Sequence, residues 1–574
     1  MQKKENLENS NKYIRYIIRL AVISTISALV CQAGMYISCL NAGSIMHMPS
    51  VKNGIIFIIV AFVMTAGLDL LFKEVTPYNQ KTAAWLVIIG VFTFLAVFIN
   101  LLNPIVSTDG RVAYRYPELA AIAFGVALCE LIIRKEKPQF KNIIVIPDFK
   151  NVESIFAVIS LIFGIVLAII LPAKTIICWD DDEHYRETLY LSQGIYTAYD
   201  DTEVNLIYGW KEDAAENLSD VENNGSLYMD SDAFSMRPTR VGQIGFVLGM
   251  WFGQILQLDA AKVFTLGRIG GLAVYTLIMY YAIKRLKNGK MLLCLIGLAP
   301  IAIFLSVGYS YDAWVLAFMS LGFAYFFGAL QRNEGSLTTK EIVIMIGAMF
   351  IGTWPKMPYI FMILIYFLMP KSKFADEKQR KKYYIAIISV VIFSLVYTLI
   401  TMLNSGHNGD YRGGEGINAY EQIPYILNHP IEYARTLISF LKGYIGCQGY
   451  LSSFAHLNGT VSYKILVLAM VIAALIDTGE KSPLFTPVNR ILGVVIIILQ
   501  LALVATIFYL VYTPVGLSEI RGCQERYMLQ LLMPAFLLMF SGWFTFPKIK
   551  KQYYNIAFYA VSVICLIWNF VVCL

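Results

Sequence analysis

The sequence predicts an all-α polytopic membrane protein, and three observations carry that prediction. Of its 574 residues, 57% are hydrophobic and only 15% charged, with mean hydropathy +0.61, beyond the range of soluble domains. Apolar runs recur at lengths near the ~20 residues that a helix needs to cross about 30 Å of hydrocarbon. The runs lack the alternation of barrel strands, so helices are expected to span.

The first run, residues 15–38, is longer than the apolar region of a cleaved signal and lacks a small-residue cleavage site, so it is expected to be retained. Runs at 54–72, 83–102 and 117–133 complete an N-terminal four-helix region, 1–150, for which no role is read. The rest, 151–574, holds runs at 153–172, 264–284, 291–308, 310–330, 341–354, 357–370, 383–403, 461–476, 488–511, 525–546 and 553–574. That makes about fifteen crossings by hydropathy.

Short basic loops orient them. Arg134 to Lys141, Lys284 to Lys290, Lys371 to Lys382, and Lys548 to Lys551 all fall on the cytoplasmic side if the N-terminus is inside. The net charge of +7 therefore has a topological origin, and nucleic-acid binding is set aside. Residues 241–257, VGQIGFVLGMWFGQILQ, would reverse every later crossing if they spanned. They are expected to form a re-entrant or interfacial helix, with a true span and an inverted second half as the alternative.

On this scheme 173–262 and 404–460 are external loops, with external turns at Asp312, Lys356 and 512–526. His47, His184, His407, His429 and His456 all fall outside. The nine cysteines contain no C-x-x-C pair, so no metal or disulfide framework follows. Cys178, Cys447 and Cys523 share the external face, which leaves room for one disulfide without showing that they approach.

The run WDDDEHYRETLYLSQG, 179–194, places four acids and a histidine just after a span in a chain that otherwise avoids charge. On a helix, Asp180 and Asp181 share a face with His184. A carboxylate there can take a proton from an attacking hydroxyl, or hold a divalent ion, and the imidazole can hydrogen-bond a phosphate. Acids capping a helix N-terminus, or a solvated loop, are the plainer readings.

Arg268 stands near the outer end of its run, where a guanidinium must pair or snorkel; a lipid phosphate and a loop acid are equal candidates. Asp312 in VGYSYDAW and Lys356 in TWPKMPY lie at outer helix ends among aromatic residues, and Lys356 serves either a phosphate or the interface. Arg521, Gln524, Glu525, Arg526 and Tyr527 crowd a helix start, where arginine runs against the helix dipole. Anion binding explains it, as does pairing with Glu519 or Glu525. The acids from Asp200 to Asp232 lack calcium-loop spacing and read as a solvated loop.

At these residues the chain resembles the bacterial membrane-protein family known as domain of unknown function 2142, whose members resemble the GT-C class of glycosyltransferases. The family's PDExxH pattern, with a following aromatic and a later glycine, is matched by Asp180, Asp181, His184, Tyr185 and Gly194. The Arg268 helix, Asp312 in its segment, Pro355 with Lys356, QIPYILNHP from Gln422 to Pro430, and IRGCQERY with Gln524, Arg526 and Tyr527 extend the likeness over 153–546. Trp179 stands where proline is usual, Asp181 where glutamate is usual, and Glu525 where glycine precedes Arg526.

The resemblance implies a GT-C-like transmembrane core working at the outer face of the bacterial plasma membrane. It implies a polyprenyl-phosphate-linked sugar as donor and a cell-wall or capsular polysaccharide as acceptor. Asp180, Asp181 and His184 would be catalytic, and Arg268, Lys356 and Arg526 would bind the donor phosphate. Magnesium or manganese on Asp180 and Asp181 is an option that no ligand spacing supports. The alternative is a transporter or flippase for a lipid-linked or anionic solute, though ionisable groups on broken midplane helices and internal repeats are missing from the sequence.

Overall fold

The computed structural model describes residues 151–171, 177–193, 238–404, 416–476, 485–545 and 551–574 with a few single omissions, plus isolated residues between Ile18 and Pro77. The first four runs, Gly194, His47, His407 and the acidic stretch Asp200–Asp232 lie outside the described residues. By its contacts the chain divides into two units: Met1–Asp148 with Thr478–Pro483 and Ser541–Tyr554, and Phe149–Asp477 with Leu484–Phe540 and Asn555–Leu574. In the first, Thr76–Pro77 pairs antiparallel with Phe544–Thr545.

The described residues of the second unit are mostly helical, and its last helix, Lys551–Cys573, begins in the first unit. In chain order its helices are α1 (Val152–Ile170), α2 (Asp181–Gln193), α3 (Ile244–Ile255), α4 (Ala260–Arg285), α5 (Lys290–Gly297), α6 (Pro300–Val307), α7 (Asp312–Leu330) and α8 (Thr339–Thr353). There follow α9 (Glu377–Asn404), α10 (Ala419–Asn428), α11 (Pro430–Gly446), α12 (Tyr463–Ile476), α13 (Pro487–Val511), α14 (Leu532–Phe540) and α15 (Lys551–Cys573). Tight 3₁₀ segments at Pro238–Gln243, Trp354–Leu368 and Glu525–Leu531 connect them. Among the described residues seven helices are long and apolar enough to span, or eight with α5 and α6, which are bent by 57° across Leu298–Ala299. The chain is a membrane protein of several apolar helices.

Local chemistry explains the element ends. Thr338 and Glu341 close a reciprocal capping box at α8, Thr486 caps α13 ahead of Pro487, and Asn418 caps α10. Helices α5, α6 and α7 are almost wholly buried, whereas α1, α9, α13 and α15 keep most of their apolar surface outward, as lipid solvation allows.

Length and apolarity alone would make 339–368 a single 30-residue span. The chain reverses there instead. The Tyr366 hydroxyl donates to the Met345 carbonyl at 3.4 Å, and the Gly335 amide donates to Ser372 at 2.7 Å, so α8 and the 3₁₀ arm lie side by side. Lys356 has non-helical backbone at the turn, between Pro355 and Pro358, whose rings disfavour helix in the residues before them. The two separate runs read at 341–354 and 357–370 are therefore the arms of a hairpin.

The segment at 241–257 also resolves into a hairpin arm. Its 12-residue helix α3 is about 18 Å long at 1.5 Å per residue and follows directly on the 3₁₀ segment Pro238–Gln243. A glycine seam packs it antiparallel along α4: a Cβ on Gly249 would stand 2.0 Å from the Leu266 carbonyl oxygen, and one on Gly270 would stand 2.4 Å from that of Gly245. Ile244, Leu248, Trp251, Phe252 and Ile255 face outward from the other side.

The basic turns at 284–290 and 371–382 gather at one end of the unit, where Lys290 pairs with Glu153 at 2.9 Å, Arg285 and Arg332 share Glu341, and Lys373 donates to the Leu330 carbonyl at 3.0 Å. Asp181, Asp312, Lys356 and Arg526 lie at the opposite ends of their helices. Gly249→Ala is expected to separate α3 from α4 and destabilise the protein by about 1–3 kcal/mol, the usual overpacking cost. Gly347→Ala, which meets nothing within 4 Å, should be neutral or slightly stabilising by thermal unfolding in detergent.

Candidate functional site

The site is organised around a carboxylate with almost no access to water. Asp312 is the first residue of α7, and its backbone amide binds the Ser310 hydroxyl at 3.2 Å. One carboxylate oxygen bonds the Lys356 ammonium, and the other stands 3.3 Å from Nη1 of Arg526. The side chains of Asp312 and Arg526 are only 2% and 3% exposed. The turn of the 339–368 hairpin delivers Lys356, and the 3₁₀ segment ahead of α14 delivers Arg526.

Asp180 completes the network from the turn just ahead of α2. Its carboxylate lies 3.3 Å from Nη2 of Arg526 and is 32% exposed, the most accessible of the four groups. Its backbone is left-handed, with φ of 57°, a costly conformation for a residue with a side chain and one that recurs at functional sites. Two carboxylates and two cations sum to zero, as burial requires.

Aromatic faces enclose the cations. Arg526 lies over Trp179 at 4.6 Å and Tyr527 at 5.4 Å, and Lys356 lies 3.9 Å from the Tyr527 ring centre and 5.3 Å from that of Tyr311. The Tyr359 hydroxyl fixes the Tyr527 carbonyl at 2.6 Å, and the Tyr444 hydroxyl fixes the Gln524 carbonyl at 2.7 Å. The Gln524 side-chain oxygen is buried without a hydrogen-bond partner among the described residues.

Beside Lys356 opens a cavity of about 380 Å³. Tyr311, Trp354, Tyr359 and Tyr527 line it together with Tyr397 and Thr398 of α9 and Val504, Ile507 and Phe508 of α13. Its wall is mostly apolar and aromatic, and among the described residues Lys356 is the one charged residue in it. Because α9 and α13 are outward-facing spans, the cavity lies between two membrane helices.

The remaining sequence candidates divide. The Asp181 carboxylate accepts the backbone amides of Ile177 and Cys178, at 3.2 and 3.0 Å, so it closes the turn into α2. His184 is buried with its ring 4.2 Å from that of Tyr311, beside the network and outside its ion pairs. Tyr185 packs into a cluster with Phe246, Met250, Val263, Phe264 and Tyr309. Arg268 is buried over Phe264 and donates to the Leu171 carbonyl at 3.1 Å, apart from Lys356 and Arg526. Cys178, Cys447 and Cys523 are free thiols.

With Asp180 turned to a guanidinium and Asp181 to backbone amides, the pair does not fit a divalent ion. Among the described residues no three His, Cys, Asp or Glu side chains form a metal-holding group. Sequence reasoning did not select Trp179, Tyr311 or the cavity aromatics Trp354, Tyr359, Tyr397 and Phe508. The first two were signalled by their places next to Asp180 and Asp312. Nothing in the sequence joins Tyr397 and Phe508, which line one cavity from two different helices.

A family model described as "Predicted membrane protein (DUF2142)" matches residues 244–535. The chain belongs to the DUF2142 family. The match includes Arg268, Asp312, Lys356, Gln524, Arg526 and Tyr527, and it begins after Asp180, Asp181, His184 and Tyr185. In this DUF2142 chain the acidic motif thus joins the site from outside the matched span. No curated protein and no solved structure matches the chain.

Asp312→Asn is expected to leave Lys356 and Arg526 under-compensated and to cost about 3–5 kcal/mol, as breaking a buried pair does. Thermal unfolding in detergent should show this, with exposed Lys340→Ala unchanged. Burial lowers the His184 pKa from 6.5 to about 4, against the opposing pull of Asp180 and Asp312. The fold therefore favours neutral imidazole: this contribution is complete above pH 6.5 and is lost as pH falls toward 4. His184→Gln should flatten the decline of the unfolding midpoint across that window.

Proposed function

We propose that this protein is a membrane glycosyltransferase that moves a sugar from a polyprenyl-phosphate-linked donor to a cell-envelope polysaccharide at the extracytoplasmic face. The observation that carries the reading is the junction of an apolar cavity between two membrane helices with a buried Lys356–Asp312–Arg526 network and an accessible carboxylate, Asp180. An isoprenoid chain suits the aromatic cavity, and its phosphate suits the cations at the cavity's polar end.

The geometry favours one order of events. The resting network is neutral, so an incoming phosphate must replace a carboxylate, and Asp180, the exposed partner of Arg526, is easiest to displace. Its release frees a base. An acceptor hydroxyl then attacks the anomeric carbon with inversion, Asp180 takes its proton, and the bond from that carbon to the phosphate oxygen breaks. The electron pair leaves on the phosphate, whose growing charge Lys356 and Arg526 stabilise.

The alternative of a transporter or flippase draws less support. Among the described residues the one bent helix pair, α5 with α6, carries no acidic or basic side chain at its bend.

Asp180→Asn should accumulate normally and lose envelope-glycan modification by a factor of about 10²–10⁴, the usual worth of a general base. Asp181→Ala should lower protein yield, since two buried amides lose their acceptor at about 1–3 kcal/mol. Glycan composition in a complemented deletion strain reads the first, and immunoblotting of membranes reads the second. Full modification by Asp180→Asn would remove the base from the mechanism.

A further inference from the structure

The α10–α11 hairpin stands apart from the cavity and has a surface that the site does not use. Its inner side is anchored to the last turns of the α13 span. Gln422 donates to the Tyr509 carbonyl at 3.1 Å and accepts the Gly516 amide at 2.9 Å, while the hydroxyls of Tyr433 and Thr506 meet at 2.5 Å. The hairpin therefore lies at the level where a 25-residue apolar helix ends.

Its outer side is apolar and basic together. Tyr420, Ile423 and Leu427 on α10, and Ile431, Ile438 and Ile445 on α11, are all 45–73% exposed. Residues seven apart share a helical face, so the three isoleucines of α11 form one row, and Arg435 and Lys442 form a second row about 40° away at 100° per residue. Tyr433, Thr436 and Tyr444 point to the opposite, protein side. The hairpin's acids are engaged elsewhere: Glu421 accepts from Asn418 at 2.9 Å, and Glu432 accepts from Tyr425 at 3.0 Å beside His429. Arg435 and Lys442 are exposed and form no ion pair among the described residues.

We infer that α10 and α11 form a lipid-docking element, with their isoleucine and leucine side chains in the upper acyl region and Arg435 and Lys442 on the phosphates of anionic phospholipid. Apolar residues interleaved with cations at the end of a span meet the two layers of a bilayer surface at their respective depths. The same face in water would leave six large apolar side chains exposed next to unpaired cations. The inference is independent of any catalytic reading.

Hydrogen exchange of the purified full-length protein tests it, in nanodiscs of phosphatidylcholine alone and of phosphatidylcholine mixed with phosphatidylglycerol. Amides of 430–446 should exchange more slowly with phosphatidylglycerol, by roughly an order of magnitude for two basic residues. Arg435→Ser with Lys442→Ser should abolish the difference while keeping the wild-type unfolding midpoint, because neither side chain has a partner to lose. Ile438→Ser should speed exchange in both lipids. Equal exchange of the wild type in the two lipids would overturn the proposal, and equal exchange with dimers in mass photometry would assign the face to a second copy of the chain.

Discussion

The arrangement depends on the burial of Asp312 between Lys356 and Arg526. A carboxylate removed from water is tolerated only with matched positive charge and aligned hydrogen bonds, and here each cation comes from a different segment. The start of α7, the turn after α8 and the 3₁₀ entry to α14 must therefore meet at one point. Tyrosine hydroxyls on the carbonyls of Tyr527 and Gln524 hold the last of these in register. A helix end in lipid leaves backbone groups unmet, and those side chains supply their partners.

The same constraint shapes the surrounding elements. Lys356 reaches Asp312 because prolines on either side stop the helix, so a sequence that would otherwise make one long span makes a hairpin. The glycine seam lets α3 lie against α4 at backbone distance, which brings the Pro238–Gln243 segment beside Tyr311 and Pro355. Asp180 enters through a left-handed residue that turns its carboxylate back toward Arg526. Each feature departs from ideal helix where the chain approaches the network.

Helical class and an apolar, membrane-spanning character were legible because lipid demands long apolar runs, a signal that needs no tertiary information. The convergence of Asp180, Asp312, Lys356 and Arg526 on one point was partly legible, since charges at span ends are costly enough to stand out. Their pairing was not. Spacing put Asp180 and Asp181 on equal terms, yet one turn of backbone sends the first to a guanidinium and the second to amides. Arg268 carried the same cue as Arg526, but it turns to a carbonyl at the end of α1 and stays outside the Lys356–Asp312–Arg526 ion pairs. The turn at Lys356 was readable from its prolines, whereas the cavity, built from residues far apart in sequence, was not.

The two ends of the unit carry charge clusters of different kinds. At the basic end, Arg285 and Arg332 share Glu341, and the Thr338 cap engages the same carboxylate, so all the charges close on one another within loops that water still reaches. At the other end the charges are nearly sealed, and only Asp180 stays accessible. Stability alone would favour burying that group or replacing it by an apolar one, because an exposed carboxylate adds little to a pair already anchored by Asp312. A neutral network with one exchangeable anion, set beside an apolar cavity, is suited to receive an anion that carries an apolar tail. That asymmetry gives the arrangement a physical rationale beyond holding the helices together.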